Sequence, residues 1–98
     1  MTSNQGYIAA HATNLVTFTL PASSATGSIV EVTGISGTNG WKIAQAASQK
    51  IYFGRYSTTT GVTGYLQCNN VRDVVRILCI VTDLEWQVLY SIGNIEVV

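Results

Sequence analysis

Apolar residues fall on alternate positions along most of the chain, the spacing of half-buried β-strands. In Leu15 to Leu20, Val16, Phe18 and Leu20 share one face, the threonines take the other, and Pro21 ends the run. Ile29 to Thr33 repeats the pattern after the polar Ser23–Gly27 loop. The loop Gly34 to Gly40 closes on Asn39-Gly40, a pair that accepts the positive φ of a tight turn, so Trp41 to Ala46 is expected to return antiparallel to the strand before it. Ile51 to Gly54 and Tyr65 to Cys68 read as short strands, separated by a Ser57–Gly64 segment too polar for a core. Val74 to Val81 and Trp86 to Ser91 form a strong hairpin, and Ile95 to Val98 adds a terminal strand. Ala44 to Gln49 has the best helix propensity but no apolar stripe to pack. About eight to nine short strands at this spacing predict an all-β fold, a compact antiparallel β-sandwich or small barrel-like structure.

One strand breaks the alternation. Val74 to Val81 is apolar on both faces except at Arg76, whereas a sandwich strand has one wet face. A loop or another chain must cover the second face. Only 10% of the 98 residues are charged, against about 25% in ordinary domains, which favours another chain. Val74, Ile77, Leu78 and Ile80 are therefore the candidate oligomer-interface residues. The length suits a single all-β domain over 1–98, with 1–6 expected as a flexible N-terminus. A hydrophobic share of 47% excludes intrinsic disorder. Zero net charge argues against nucleic acid, and no apolar run nears the ~20 residues of a membrane helix, so no membrane insertion is expected. Met1 to Gly6 does not read as a signal peptide.

An offset of 45 residues lays Ile29–Val32 over Val74–Ile77 and Trp41 over Trp86. The echo suits either a duplicated binding lobe or two core hairpins of shared alternation, and one pair of repeats favours the second. Trp41 and Trp86 then read as core anchors.

Catalytic chemistry is sparse. His11 is the sole histidine, and Glu31, Asp73, Asp83, Glu85 and Glu96 are the five carboxylates, none paired at a recognisable spacing. A Cys79–His11 nucleophile pair is formally available, but a thiol in an apolar strand is ordinarily inert packing. Asp73 before the apolar strand reads as a turn cap. Cys68 and Cys79 are expected to be free thiols, and with His11 they do not have metal-site spacing. The expectation is a non-enzymatic chain without metal or cofactor. Arg55, Tyr56 and Tyr65 flank the hydroxyl-rich Ser57–Gly64 segment and are the candidate ligand-binding residues, because sugars stack on aromatic faces and bond to cations and hydroxyls. The alternative is that these tyrosines pack on the sheet or between subunits.

Gly40-Trp41-Lys42-Ile43-Ala44-Gln45, Gln49-Lys50-Ile51 with Phe53-Gly54, the Thr58–Thr60 run, Gly64, Asp73 before Leu78-Cys79, and Trp86-x-Val88 leading to Ser91-Ile92-Gly93-Asn94 form one pattern. From about Tyr7 onward it resembles a module of tailed-phage tail fibres, tailspikes and related prophage virion proteins. The chain departs from that pattern at Tyr65–Cys68, at Val71-Arg72 and at Tyr90. The resemblance implies a C-terminal, all-β homotrimer that assembles the fibre or faces the receptor at its tip. It further implies a virion location after synthesis in the host cytoplasm, and contact with cell-surface carbohydrate is the expectation drawn from Arg55, Tyr56 and Tyr65. It transfers no binding residue. A stand-alone lectin-like domain is the alternative.

Overall fold

The computed structural model describes residues 1–35 and 37–98; Ser36, inside the expected Gly34–Gly40 loop, lies outside the described residues. Among the described residues ten strands form: β1 Gln5–Ala9, β2 Val16–Thr19, β3 Ile29–Gly34, β4 Trp41–Ala44, β5 Lys50–Phe53, β6 Tyr56–Ser57, β7 Tyr65–Gln67, β8 Val74–Val81, β9 Glu85–Ile92 and β10 Glu96–Val97. They make a six-stranded sheet, β1-β3-β8-β9-β5-β6, and a four-stranded sheet, β10-β7-β4-β2. Among the described residues there is no helix, and so none long and apolar enough to cross a membrane.

The all-β expectation holds, but a purely antiparallel sandwich does not form. β1 pairs with β3, β2 with β4, and β5 with β9 in parallel. The reason lies in the path of the chain. β1, β2, β3 and β4 alternate between the two sheets, so β1–β3 and β2–β4 are each bridged by a strand of the opposite layer, while β5 and β9 are joined through β6, β7 and β8; both paths supply the long crossover that parallel neighbours require. True hairpins join β5 to β6 and β8 to β9. The second turns at Asp83, whose φ is +65°.

Asn39-Gly40 is consequently not a hairpin turn. Both flanks of β3 are taken, by β1 and β8, and the chain crosses at Gly40 to the other sheet. Gly40 has φ +83°, and a Cβ there would lie 2.5 Å from the Cys68 sulfur. Asn39 ties the corner to the His11–Asn14 loop, its Nδ2 donating to the Thr13 carbonyl at 2.8 Å. The expected pair of equivalent core hairpins also fails: β3 and β8 are antiparallel neighbours in one sheet, while β4 belongs to the other.

Both sheets send alternate residues into one core. The six-stranded sheet contributes Val30, Val32, Ile51, Val75, Ile77, Cys79 and Trp86, and the four-stranded sheet Trp41, Ile43 and Leu66. The two tryptophans are fully buried as expected, but their indoles differ. Trp41 Nε1 donates to the Asp73 carbonyl at 2.8 Å, whereas Trp86 Nε1 has no partner among the described residues. Residues 1–6, expected to be a flexible end, make hydrogen bonds to the rest of the chain. Gln5 and Gly6 open β1, Asn4 N–H donates to the Ile29 carbonyl at 2.7 Å, and the Met1 ammonium donates to the Thr19 carbonyl at 2.6 Å.

Candidate functional site

Strand parity divides the residues of β8 between the two faces. Val75, Ile77 and Cys79 point into the core, and Val74, Arg76, Leu78 and Ile80 are half-buried on the outer face. Ile77 is therefore a core residue with no exposed surface and is removed from the interface set. Val74, Leu78 and Ile80 keep the outward orientation an interface needs.

The outer face of the six-stranded sheet has an ordered cross-strand row. Gly6 lies beside Glu31, Glu31 beside Arg76, and Arg76 beside Tyr90. The Tyr90 hydroxyl donates to Glu31 Oε2 at 2.6 Å, and Arg76 Nη1 stands 3.9 Å from the same oxygen. Next to this row, Val74 pairs with Ile92 and Ile8 with Thr33. A register shift between β8 and β9 inserts Leu89 as an extra residue, leaving Leu89 and Tyr90 both exposed. Ile8, Leu89, Tyr90 and Ile92 are 63, 48, 45 and 64% exposed. That much large apolar surface on one face is the mark of an interaction surface.

Two hollows adjoin over this face. One of about 320 Å³ is lined by Asn4, Gln5, Gly6, Ile29, Glu31 and Arg76. The other, of about 290 Å³, shares Gly6 and Glu31 and extends toward Thr33 and Val74. Gly6, which places no side chain on the outer face, lines both.

The expected carbohydrate cluster is divided by the fold. Arg55 and Tyr56 sit at the β5–β6 turn, on the free edge of the six-stranded sheet, where an Arg55 Nη donates to the Tyr56 hydroxyl at 2.9 Å. Tyr65 lies on the outer face of the four-stranded sheet, with Lys42 Nζ 4.0 Å from its ring centroid. Among the described residues no hydrogen bond or ring contact joins Tyr65 to Arg55 or Tyr56. Each ring has a cation of this chain over it, Arg55 Cζ at 5.1 Å from the Tyr56 centroid and Lys42 Nζ at 4.0 Å from that of Tyr65, but Tyr56 is 58% exposed while Tyr65 is half-buried, so Tyr56 is the more available ring.

The Ser57–Gly64 segment, expected to be an exposed polar loop, is pinned from below. Gln45 and Gln49 are buried, and so is Thr58. Gln45 Nε2 donates to the carbonyls of Gln49, Thr59 and Gly61 at 2.8, 2.9 and 2.8 Å, and the Thr58 hydroxyl donates to Gln45 Oε1. Thr58 Oγ1 in turn accepts the Ile51 N–H at 2.9 Å. Gln49 Oε1 accepts the Ala46 N–H at 2.7 Å, and its Nε2 donates to Pro21 and Asp83 carbonyls. The polar residues of this segment thus satisfy buried backbone groups, and a Gln-x-x-x-Gln pair beside a threonine run is the only sequence signal of it.

The chemistry-bearing residues are dispersed. His11 closes its own loop by accepting Asn14 N–H at 3.0 Å. Asp73 caps the turn before β8, accepting the N–H groups of Asn69 and Asn70 at 3.0 Å each, as the sequence suggests. Cys68 and Cys79 are free and buried, and burial pushes the Cys79 thiol pKa up. Among the described residues no three His, Cys, Asp or Glu side chains come together to hold a metal ion.

The chain is thus an all-β protein of two mixed sheets around a shared core, with exposed apolar residues beside a polar row on the outer face of the larger sheet. Comparison with protein-family models, with curated proteins and with solved structures finds no match.

Proposed function

We propose that this chain is a non-enzymatic assembly and receptor-facing module of a phage-type tail fibre or tailspike, acting as a homotrimer in the virion. The observation that carries the reading is the outer face of the six-stranded sheet, where Ile8, Leu89, Tyr90 and Ile92 stand exposed around half-buried Val74, Leu78 and Ile80. Covering this face with other copies removes apolar surface from water, and at roughly 25 cal/mol per Å² that burial drives association. The resemblance of the Trp41 and Trp86 segments to fibre modules supplies the context, and the 10% charge agrees with a chain that meets its own copies. Contact with cell-surface carbohydrate rests on the Arg55–Tyr56 pair at the sheet edge, the most exposed aromatic of the chain beside a guanidinium.

Solution mass by light scattering tests the assembly: about three times the 10.5 kDa monomer is expected. A mass that stays monomeric over a wide concentration range refutes it and moves the weight to a stand-alone lectin-like domain, for which the exposed Arg55–Tyr56 pair is the favouring feature.

A further inference from the structure

We propose that Asn39-Gly40 is a self-modification site, where the Gly40 amide nitrogen displaces ammonia from the Asn39 side chain and leaves aspartate or isoaspartate. The Gly40 nitrogen bonds to Asn39 Cγ and gives up its proton to water, while the Cγ–Nδ2 bond breaks and the side-chain nitrogen departs as ammonia. Water then opens the resulting cyclic imide at either of its carbonyls. Nothing is oxidised or reduced, and each product carries one new carboxylate. Of the six asparagines only Asn39 precedes glycine, whose nitrogen approaches without a Cβ beside it. The other five precede residues with a side chain in the way.

The fold leaves this pair free to react. Asn39 is exposed, and its Oδ1 accepts no hydrogen bond among the described residues. The Gly40 N–H donates none among them, so no acceptor holds the nucleophile. One exposed bond, from Nδ2 to the Thr13 carbonyl at 2.8 Å, restrains the side chain, and a bond of that kind slows rotation no more than about tenfold. Elsewhere the corresponding atoms are engaged. Asn70 N–H, the nucleophile beside Asn69, is held by Asp73 Oδ2 at 3.0 Å, and Asn4 Oδ1 accepts Ile29 N–H at 3.0 Å. Conversion also acts on the fold. Either product ends the donation to the Thr13 carbonyl and puts a carboxylate beside it, which loosens the His11–Asn14 loop. Isoaspartate further adds a carbon to the main chain before Gly40, where space is short: a Cβ on Gly40 would lie 2.5 Å from the Cys68 sulfur. The Gly40 carbonyl accepts Val16 N–H at 3.1 Å, the bond that starts the pairing of β2 with β4, its sole sheet neighbour among the described residues.

Peptide mass mapping of the full chain, aged at mildly alkaline pH both folded and in urea, tests the proposal. The folded parent should show amide-to-acid conversion at Asn39 before any other asparagine, at a rate within about tenfold of the chain in urea, because an exposed loop opens at little cost. The Asn39 peptide should resolve into aspartate and isoaspartate forms. Asn39→Gln should stop conversion there, since glutamine has to close a larger ring. Relative to Asn39→Gln aged alike, the converted parent should lose exchange protection at the Val16 amide by about tenfold or more. A folded parent that keeps the Asn39 amide as long as those of Asn14 and Asn94 overturns the proposal, and so does conversion confined to the chain in urea. Unchanged Val16 protection in the converted chain overturns the loosening of β2.

Discussion

Replacing Gln45 with Leu keeps the volume nearly constant and deletes an amide that is 3% exposed. Not every partner is left stranded. The Gln49 carbonyl still accepts Gly61 N–H at 2.8 Å, and the Gly61 carbonyl still accepts Gly64 N–H at 3.2 Å. The Thr59 carbonyl and the Thr58 hydroxyl proton lose the only hydrogen bonds they make among the described residues. A stranded buried group costs about 1–3 kcal/mol, and water reaches Thr59 at the surface, so the Thr58 hydroxyl sets an expected loss of about 1–3 kcal/mol. For a domain of this size that lowers Tm by roughly 4–24 °C. Urea unfolding is the assay, with the midpoint falling and the slope unchanged. Thr58→Val, which strands Gln45 Oε1 and the Ile51 N–H, should cost a similar amount. The double variant should cost less than the sum of the two, since both belong to one network. A Gln45→Leu chain within about 0.5 kcal/mol of the parent would show that the Ser57–Gly64 segment is an appendage held by nothing beneath it.

Three further outcomes are expected. Gly93→Ala should destabilise well beyond Gly27→Ala: both glycines have φ near +97°, but an added carbon at Gly93 meets the Asp73 carboxylate while Gly27 faces open space, so equal melting temperatures would refute the contact. Thiol titration of the unfolded, unreduced chain should find two free sulfhydryls, with Cys79 slow to react in the folded protein. Because burial raises the Cys79 pKa, the folded state holds its proton more tightly than the unfolded one, so this group's contribution to stability should be lost as pH rises above 9.0, and an increase in stability over that range, with Cys79→Ala as control, would contradict the assignment. On a glycan array, Tyr56→Ala should remove retention and Tyr65→Ala should not, each with unchanged oligomeric mass. The reverse result would place carbohydrate contact on the four-stranded sheet.

Which residues turn inward was largely readable from the sequence, because a period of two is a local property of the extended backbone. Val16 and Phe18, Trp41 and Ile43, and the β8–β9 hairpin all follow from it, as does the capping role of Asp73. The same period mixed Ile77 with Val74, Leu78 and Ile80, because an apolar run on both faces does not announce which face is core. Alternation also says nothing about which strand lies beside which. The parallel pairs β1–β3, β2–β4 and β5–β9 arise from a chain path that exchanges sheets, and Gly40 turns a corner because β3 has no free flank. Arg55, Tyr56 and Tyr65 are close in sequence but separated by the two layers. Gln45 and Gln49 look like surface residues until their partners arrive from Pro21, Thr58, Gly61 and Asp83. A buried amide is tolerated only when distant backbone carbonyls converge on it, and that convergence exists only in the folded chain.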